Sequence, residues 1–401
     1  MAFVSGRVLA LCALAVAAGC TGNAPNIGAA TPDALHGESH VAGTDLQRQV
    51  SARFPVIGDG RESAAYRPAN PAGPRSVLPQ TKGGAWKQLA TLPGAVIHDI
   101  AFASPSTGFA AAELGQVWKT ADGGKTWNDV LNLGFPYYFY GVTALSAKDV
   151  VVSGFDDTNY EGVLRWSHDG GTTWSSDVVL TTTGWSDRIR FASHETGLVV
   201  DQLDTQAANA VHYTTDGGAG PGDWTELVPD PQGGWFGDEF SLLANGQADM
   251  SGINYCSSPN AGRTWSCGPA IDSVFDGPVF FYDKAAGWVG GGEISPSVAG
   301  WVHRTSDGGT TWSGRTLNSP FPIREVFFIS PTLGWAAGGN IYSDVGGIYA
   351  SKDGGRNWTL ELNTNGYEMK ACAKQPAGNK TQIWCAGYDS ALNGIVYTTT
   401  R

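Results

Sequence analysis

Thr120-Ala121-Asp122-Gly123-Gly124-Lys125-Thr126-Trp127 is the stretch whose reading decides the fold, because it keeps returning. It recurs as Ser167-His168-Asp169-Gly170-Gly171-Thr172-Thr173-Trp174, and as Thr214-Thr215-Asp216-Gly217-Gly218 with an insertion before Trp224. A fourth copy, Ser258-Pro259-Asn260-Ala261-Gly262-Arg263-Thr264-Trp265, carries Asn in place of Asp. The last two copies centre on Asp307 and Asp353 and end in Trp312 and Trp358. Successive tryptophans lie 47, 50, 41, 47 and 46 residues apart. The chemistry is that of a tight turn. An Asp or Asn side chain accepts backbone N–H bonds a few residues on, Gly supplies the left-handed conformation, and Trp packs its area beneath. Asp122, Asp169, Asp216, Asn260, Asp307 and Asp353 are therefore read as structural, not catalytic or calcium-binding.

Working outward, the boxes follow strand-like runs such as Gly115–Thr120, Gly300–Thr305 and Gly347–Ser351. A second repeat lies upstream. Phe102, Phe191, Phe281 and Phe328 are each followed six residues later by Gly and a large apolar residue, at Gly108, Gly197, Gly287 and Gly334. Each pair reads as a first strand, a short turn and a second strand. First strands then begin near Val96, Tyr140, Arg188, Phe236, Gly277, Arg324 and Met369. Four strands per repeat of this length is the pattern of a β-propeller blade. The expectation is an all-β, seven-bladed propeller over 84–401, built of four-stranded antiparallel blades. The seventh unit has a third strand, Gly394–Thr399, with no box after it. Gly84–Leu89 looks like a post-box strand with no blade before it. Pairing these two runs closes the ring and hides two sheet edges.

Composition agrees. Of 401 residues, 55 are Gly, 15 are Trp and only 15% are charged, unlike helical proteins rich in Glu, Lys and Leu. A net charge of −12 makes nucleic acid an unsuitable partner. Residues 1–19 read as a signal peptide, with Arg7 ahead of the apolar run Val8–Ala18, which is too short to span a bilayer. The run ends in Ala17-Ala18-Gly19-Cys20, similar to a bacterial lipobox, so Cys20 is the expected lipidation site, with ordinary signal cleavage as the alternative. Residues 20–83, rich in Ala, Pro, Gly and Thr, read as a flexible tether. The expected location is outside the cytoplasm, as an outer-membrane or cell-surface/periplasmic lipoprotein touching membrane only through its lipid. Cys256 with Cys267 and Cys372 with Cys385 each flank a short turn, so local cross-strand disulfides are the favoured pairing in an oxidising compartment.

The boxes resemble the Asp-box (BNR repeat) of sialidases, sortilin-like receptors and some glucan hydrolases. Together with Val96–Phe102, Gly108-Phe109 and Gly115–Trp127, they resemble the photosystem II assembly and stability factors. That likeness implies a chaperone-like scaffold for a membrane protein, using a basic patch between blades. Here only Arg188, Arg190, Arg324 and Lys370 fall near first-strand entrances in an acidic body.

In a propeller, the links from strand 4 to the next strand 1 and the strand 2–3 turns share one face, opposite the boxes. That entrance face is where ligand contact is expected, from Tyr137, Tyr138, Tyr140, Trp185, Arg188, Trp235, Arg324 and Tyr367. Asp99, Asp187, Asp276 and Glu368 are the candidate acids should the protein hydrolyse or cleave a polysaccharide. Aromatic platforms with carboxylates suit sugar rings or a peptide held by aromatic anchors. Two readings stand: a non-catalytic, monomeric scaffold for a protein or glycan ligand, and a glycoside hydrolase or polysaccharide lyase. No HExxH, GxSxG or phosphate loop occurs, and no metal or cofactor is expected.

Overall fold

The repeated turn closes on itself in the manner its residues dictate. Thr120 Oγ1 accepts the Gly124 N–H at 2.9 Å and donates to Asp122 Oδ1 at 2.9 Å. Asp122 Oδ1 accepts the N–H groups of Lys125 and Thr126, at 3.0 and 2.9 Å, and Oδ2 takes the Thr126 hydroxyl at 2.7 Å. Gly123 and Gly124 have φ of 78° and 91°, in the left-handed region that favours glycine. Asn260 does the same work with one oxygen, accepting Thr264 N–H and hydroxyl at 3.0 and 3.2 Å.

A computed structural model of the chain describes residues 86–401, except 204–207, 230–238, 253, 273–275, 294–298 and 342. The signal peptide, Cys20, the tether and Trp235 lie outside the described residues. Seven antiparallel sheets form the propeller. Blade 1 is Ile97–Phe102, Gly108–Ala112, Gln116–Thr120 and Asn128–Asn132. Blade 2 is Tyr137–Ala144, Val150–Asp156, Glu161–Ser167 and Val178–Thr181; blade 3 is Gly184–Phe191, Gly197–Leu203, Ala208–Thr214 and Thr225–Leu227. Blade 4 is Ser241–Leu242, Ala248–Ser251, Asn254–Ser258 and Ser266–Pro269; blade 5 is Asp276–Phe281, Gly287–Glu293 and Ala299–Thr305. Blade 6 is Ile323–Phe328, Gly334–Asn340, Val345–Ser351 and Thr359–Asn363. Blade 7 is Glu368–Ala377, Lys380–Tyr388 and Gly394–Thr400, with Lys87–Leu92 as its fourth strand.

The ring therefore closes between distant parts of the chain. Lys87 pairs with Thr398 and Gln88 with Tyr397, and Trp86 and Tyr397 share one buried cluster. Blade 5 departs slightly from the plan. In place of a regular fourth strand it has 313–319, which reaches the third strand through Ser313 N to Arg304 O, Thr316 N to Val302 O and the Gly300–Ser319 bridge. Cys256–Cys267 and Cys372–Cys385 are disulfides joining directly opposite residues of neighbouring strands, as the turn-flanking positions suggested.

Neighbouring blades grip one another through the boxes. Trp384 of blade 7 donates to Gly123 O of blade 1 at 2.9 Å, and Trp166 of blade 2 to Gly218 O of blade 3 at 3.1 Å. Trp288 of blade 5 reaches Gly354 O of blade 6 at 3.0 Å. Two of these rings also stack on first-strand phenylalanines: Trp384 on Phe102 at 3.7 Å, and Trp288 on Phe328 at 3.5 Å.

The box carboxylates carry a pH signature. Hydrogen bonds from Thr126 hold Asp122 down at about 2; those from Thr173 do so for Asp169, and those from Asn357 for Asp353. A depressed folded value means the folded state binds fewer protons than the unfolded one. The stabilising contribution is thus present above the ordinary carboxylate value near 3.8 and lost as pH falls through about 2. The triple variant D122N/D169N/D353N is expected to melt below the wild type at pH 6, with the gap closing between pH 4 and 2. A gap constant over that range in pH-scanned thermal melts would remove the carboxylates from this role.

Candidate functional site

The first strand of each blade lies innermost, and a shared irregularity there shapes the hub. Strand 1 is bulged against strand 2 in six blades: between Ile97 and Asp99, Phe139 and Gly141, Ser186 and Ile189, Asp276 and Val279, Ile323 and Glu325, and Met369 and Ala371. A bulge leaves an extra residue out of the ladder and re-aims its side chain. The skipped residues include His98, Tyr140, Asp187, Arg188, Arg324 and Lys370. Their backbone groups need other partners, because an orphaned buried carbonyl is costly.

Arg188 meets that need. Its guanidinium donates to His98 O and Tyr140 O at 2.6 Å and to Lys370 O at 3.4 Å, three bulge carbonyls on blades 1, 2 and 7. The same head lies 3.5 Å from Asp99 and 3.3 Å from Glu239. Arg190 pairs with Asp99 at 2.8 Å and Glu239 at 2.6 Å. Across the hub, Glu368 accepts from Arg324 at 2.6 Å and lies 3.3 Å from Lys370. Burial opposes ionisation of Asp99, yet Arg190 and Arg188, with the Val142 N–H, hold its carboxyl below the usual value. Burial likewise works against Glu368, and Lys370 and Arg324 override it. Glu325 is pushed well up by burial, then by the nearby Glu239. His98 is driven well down by burial, with Lys370 and Arg188 adding to it. The hub is thus a closed charge network.

The residues expected to form the ligand surface lie at different depths. Arg188, Arg324, Asp99 and Glu368 are buried within the network: the two arginines are bulge residues, and the two acids hold ladder positions beside Arg190, Arg324 and Lys370. Tyr140 and Trp185 are buried with Phe155 in an aromatic cluster, and Tyr140 packs edge-on against His98. Asp187 is buried and accepts from the Gln202 amide. Asp276 starts the first strand of blade 5. Tyr367 is half-buried beside the blade 6–7 core. Tyr137 and Tyr138 remain half-exposed. Tyr137 donates to Asp177 at 2.9 Å, and Arg165 lies over its ring while pairing with Asp177 at 2.6 Å. Tyr138 stacks on Tyr140.

Around these two tyrosines the entrance face presents apolar side chains. Phe135 is 69% exposed and Leu114 is 41% exposed. They belong to one rim: Gly134 N donates to Leu114 O at 2.9 Å, and Asp157 N to Pro136 O at 3.1 Å. A Cβ on Gly115 would lie 2.8 Å from Leu133 and Tyr137, so this glycine lets the turn and the link pack closely. Leu114 escaped the sequence reading, although it stands ahead of Gly115 where hairpins favour Asn-Gly. Glu239 and Glu325 escaped it because nothing local marks a residue that faces the axis.

No family model and no curated protein matches this chain. Among solved structures it is similar to "YCF48 bound to D1 peptide", with 19% identity and a TM-score of 0.59, covering 80% of this chain and 99% of that one. It is similar also to YCF48 from Cyanidioschyzon merolae, at 19% identity and TM-score 0.57, covering 78% and 98%. The WD40 propeller domain of Doa1 matches at 12% identity and TM-score 0.54, covering 78% and 97%. At these identities the likeness establishes the seven-bladed propeller, with YCF48 among its structural neighbours.

Proposed function

We propose that this propeller is a non-catalytic scaffold that binds a polypeptide segment of a partner protein on its entrance face. One observation carries the reading. Asp99 and Glu368, the acids best placed for chemistry at the axis, are consumed by arginines and a lysine, while Phe135 and Leu114 are held out to solvent on the same face. Exposed apolar groups rimmed by polar ones are the usual mark of protein contact. A peptide-bound structural neighbour supports the same class of ligand. The reading places the propeller outside the cytoplasm, tethered through a lipid on Cys20; the two disulfides support an oxidising compartment.

Panning a random twelve-residue peptide library against the immobilised protein, beside a glycan array, tests this. Enriched peptides that bind in solution are the expected result. Glycan binding or turnover without any peptide enrichment overturns it in favour of a carbohydrate-active protein.

A further inference from the structure

Three adjacent blades spend backbone strain on large apolar residues at their entrance-face turns. Leu392 of blade 7, Leu114 of blade 1 and Tyr160 of blade 2 have φ of 63°, 57° and 62°. Positive φ is a genuine outlier for bulky side chains, and such strain gathers at functional positions. The case of Leu114 is plainest. Leu114 and Gly115 (φ 61°) are the two left-handed residues of the three-residue turn, Glu113 to Gly115, between Ala112 and Gln116, which pair directly. Asn would fit the first of those positions with less strain. Leucine there stays 41% exposed, so burial offsets the strain only in part.

The charge around these residues has one sign. Among described residues, the entrance links and turns of blades 7, 1 and 2 (92–96, 113–115, 133–138, 157–160 and 389–393) contain Glu113, Asp157 and Asp389 and no Lys or Arg. Glu161 follows directly. Arg165, whose guanidinium lies over the Tyr137 ring, is paired with Asp177.

We infer that the rim of blades 7, 1 and 2 docks a cationic polypeptide segment bearing large apolar anchors. The inference rests on the peptide-binding reading above and names the sector and the ligand chemistry. Phe135, Leu114, Tyr160 and Leu392 take the anchors, and Asp157, Glu161 and Asp389 face the cations. A second copy of this chain would bring the same acids against each other, in a body already at −12.

The test uses three labelled peptides, (Trp-Lys-Leu-Lys)3, (Trp-Glu-Leu-Glu)3 and (Ser-Lys-Gly-Lys)3, titrated by fluorescence anisotropy at 50 and 300 mM salt. The first is expected to bind at least tenfold more tightly than either of the others, and to weaken at the higher salt. In the double variant L114N/F135S its affinity is expected to fall at least tenfold, while Tm holds or rises by about 1–2 °C as the strained turn relaxes. D157N/E161Q is expected to weaken binding and flatten its salt dependence. Equal binding of the acidic peptide, or undiminished affinity in L114N/F135S, overturns the inference. If library peptides still enrich in that case, the general reading survives it; if none enrich, both fall.

Discussion

Replacing Arg188 by methionine is expected to cost about 3–5 kcal/mol of stability, the usual penalty for breaking a buried charge pair from one side. The loss is greater than that of one ion pair because of what the guanidinium touches. It satisfies carbonyls on blades 1, 2 and 7 that the bulged ladders leave unpaired, and it sits between the carboxylates of Asp99 and Glu239. Arg190 remains paired with both Asp99 and Glu239, so the cost falls on the three carbonyls and on two buried carboxylates that must share one guanidinium. Lysine should rescue little, since a single ammonium on a flexible stem cannot reproduce the planar fork. Urea unfolding of wild type, R188M and R188K, followed by tryptophan fluorescence and far-UV circular dichroism, reads the effect directly. A loss below about 1 kcal/mol in R188M would show that the hub does not fasten the ring.

Removing residues 86–92 is expected to abolish the monomeric fold. Those residues supply the outer strand of blade 7 and cover the edge of Gly394–Thr400. They also bring Trp86, which donates to Glu361 of blade 6 at 3.2 Å. The same Glu361 oxygen accepts from Trp335 at 3.1 Å and from Arg401, so one carboxylate of blade 6 ties both ends of the closing sheet. Without the strand, an unpaired edge and the exposed Trp335 surface invite association. Size-exclusion chromatography with light scattering should show oligomers or aggregate. A synthetic peptide covering residues 84–93, added during refolding, should restore the monomer. The milder W86A is expected to cost about 3–5 kcal/mol, in line with other buried tryptophan truncations. A monomeric, cooperatively melting truncated chain would dispose of this view of closure.

Much of the architecture could be read from the chain because its signals are local and repeated. A box of Ser/Thr, Asp and Gly–Gly bonds to itself within a few residues, so Asp122 or Asp353 announces its turn whatever surrounds it. The period of the tryptophans then counts blades, and the unmatched runs at Gly84 and Gly394 give the closure. The disulfides follow the same logic, since each links residues across one turn.

The site was less legible. An alternation of side chains along a first strand says which residues face a neighbouring sheet, but a one-residue bulge reverses that assignment. Arg324 and Lys370, each skipped by such a bulge, therefore read as an open entrance lining and turn out to be interior. Leu114 went unnoticed for the opposite reason: a leucine in a Gly-rich β protein reads as core until its turn is seen to hold it outward.

By itself, then, the order of residues determined the blades, their number, their fastening turns and the pairing that closes them, because each depends on contacts within a turn or on a simple count. Only the tertiary structure decided what stands at the axis and what stands on the rim. Those positions arise from first strands converging from across the whole chain, where place in the ring and the bulges of six blades, and not residue type, decide which side chains turn inward.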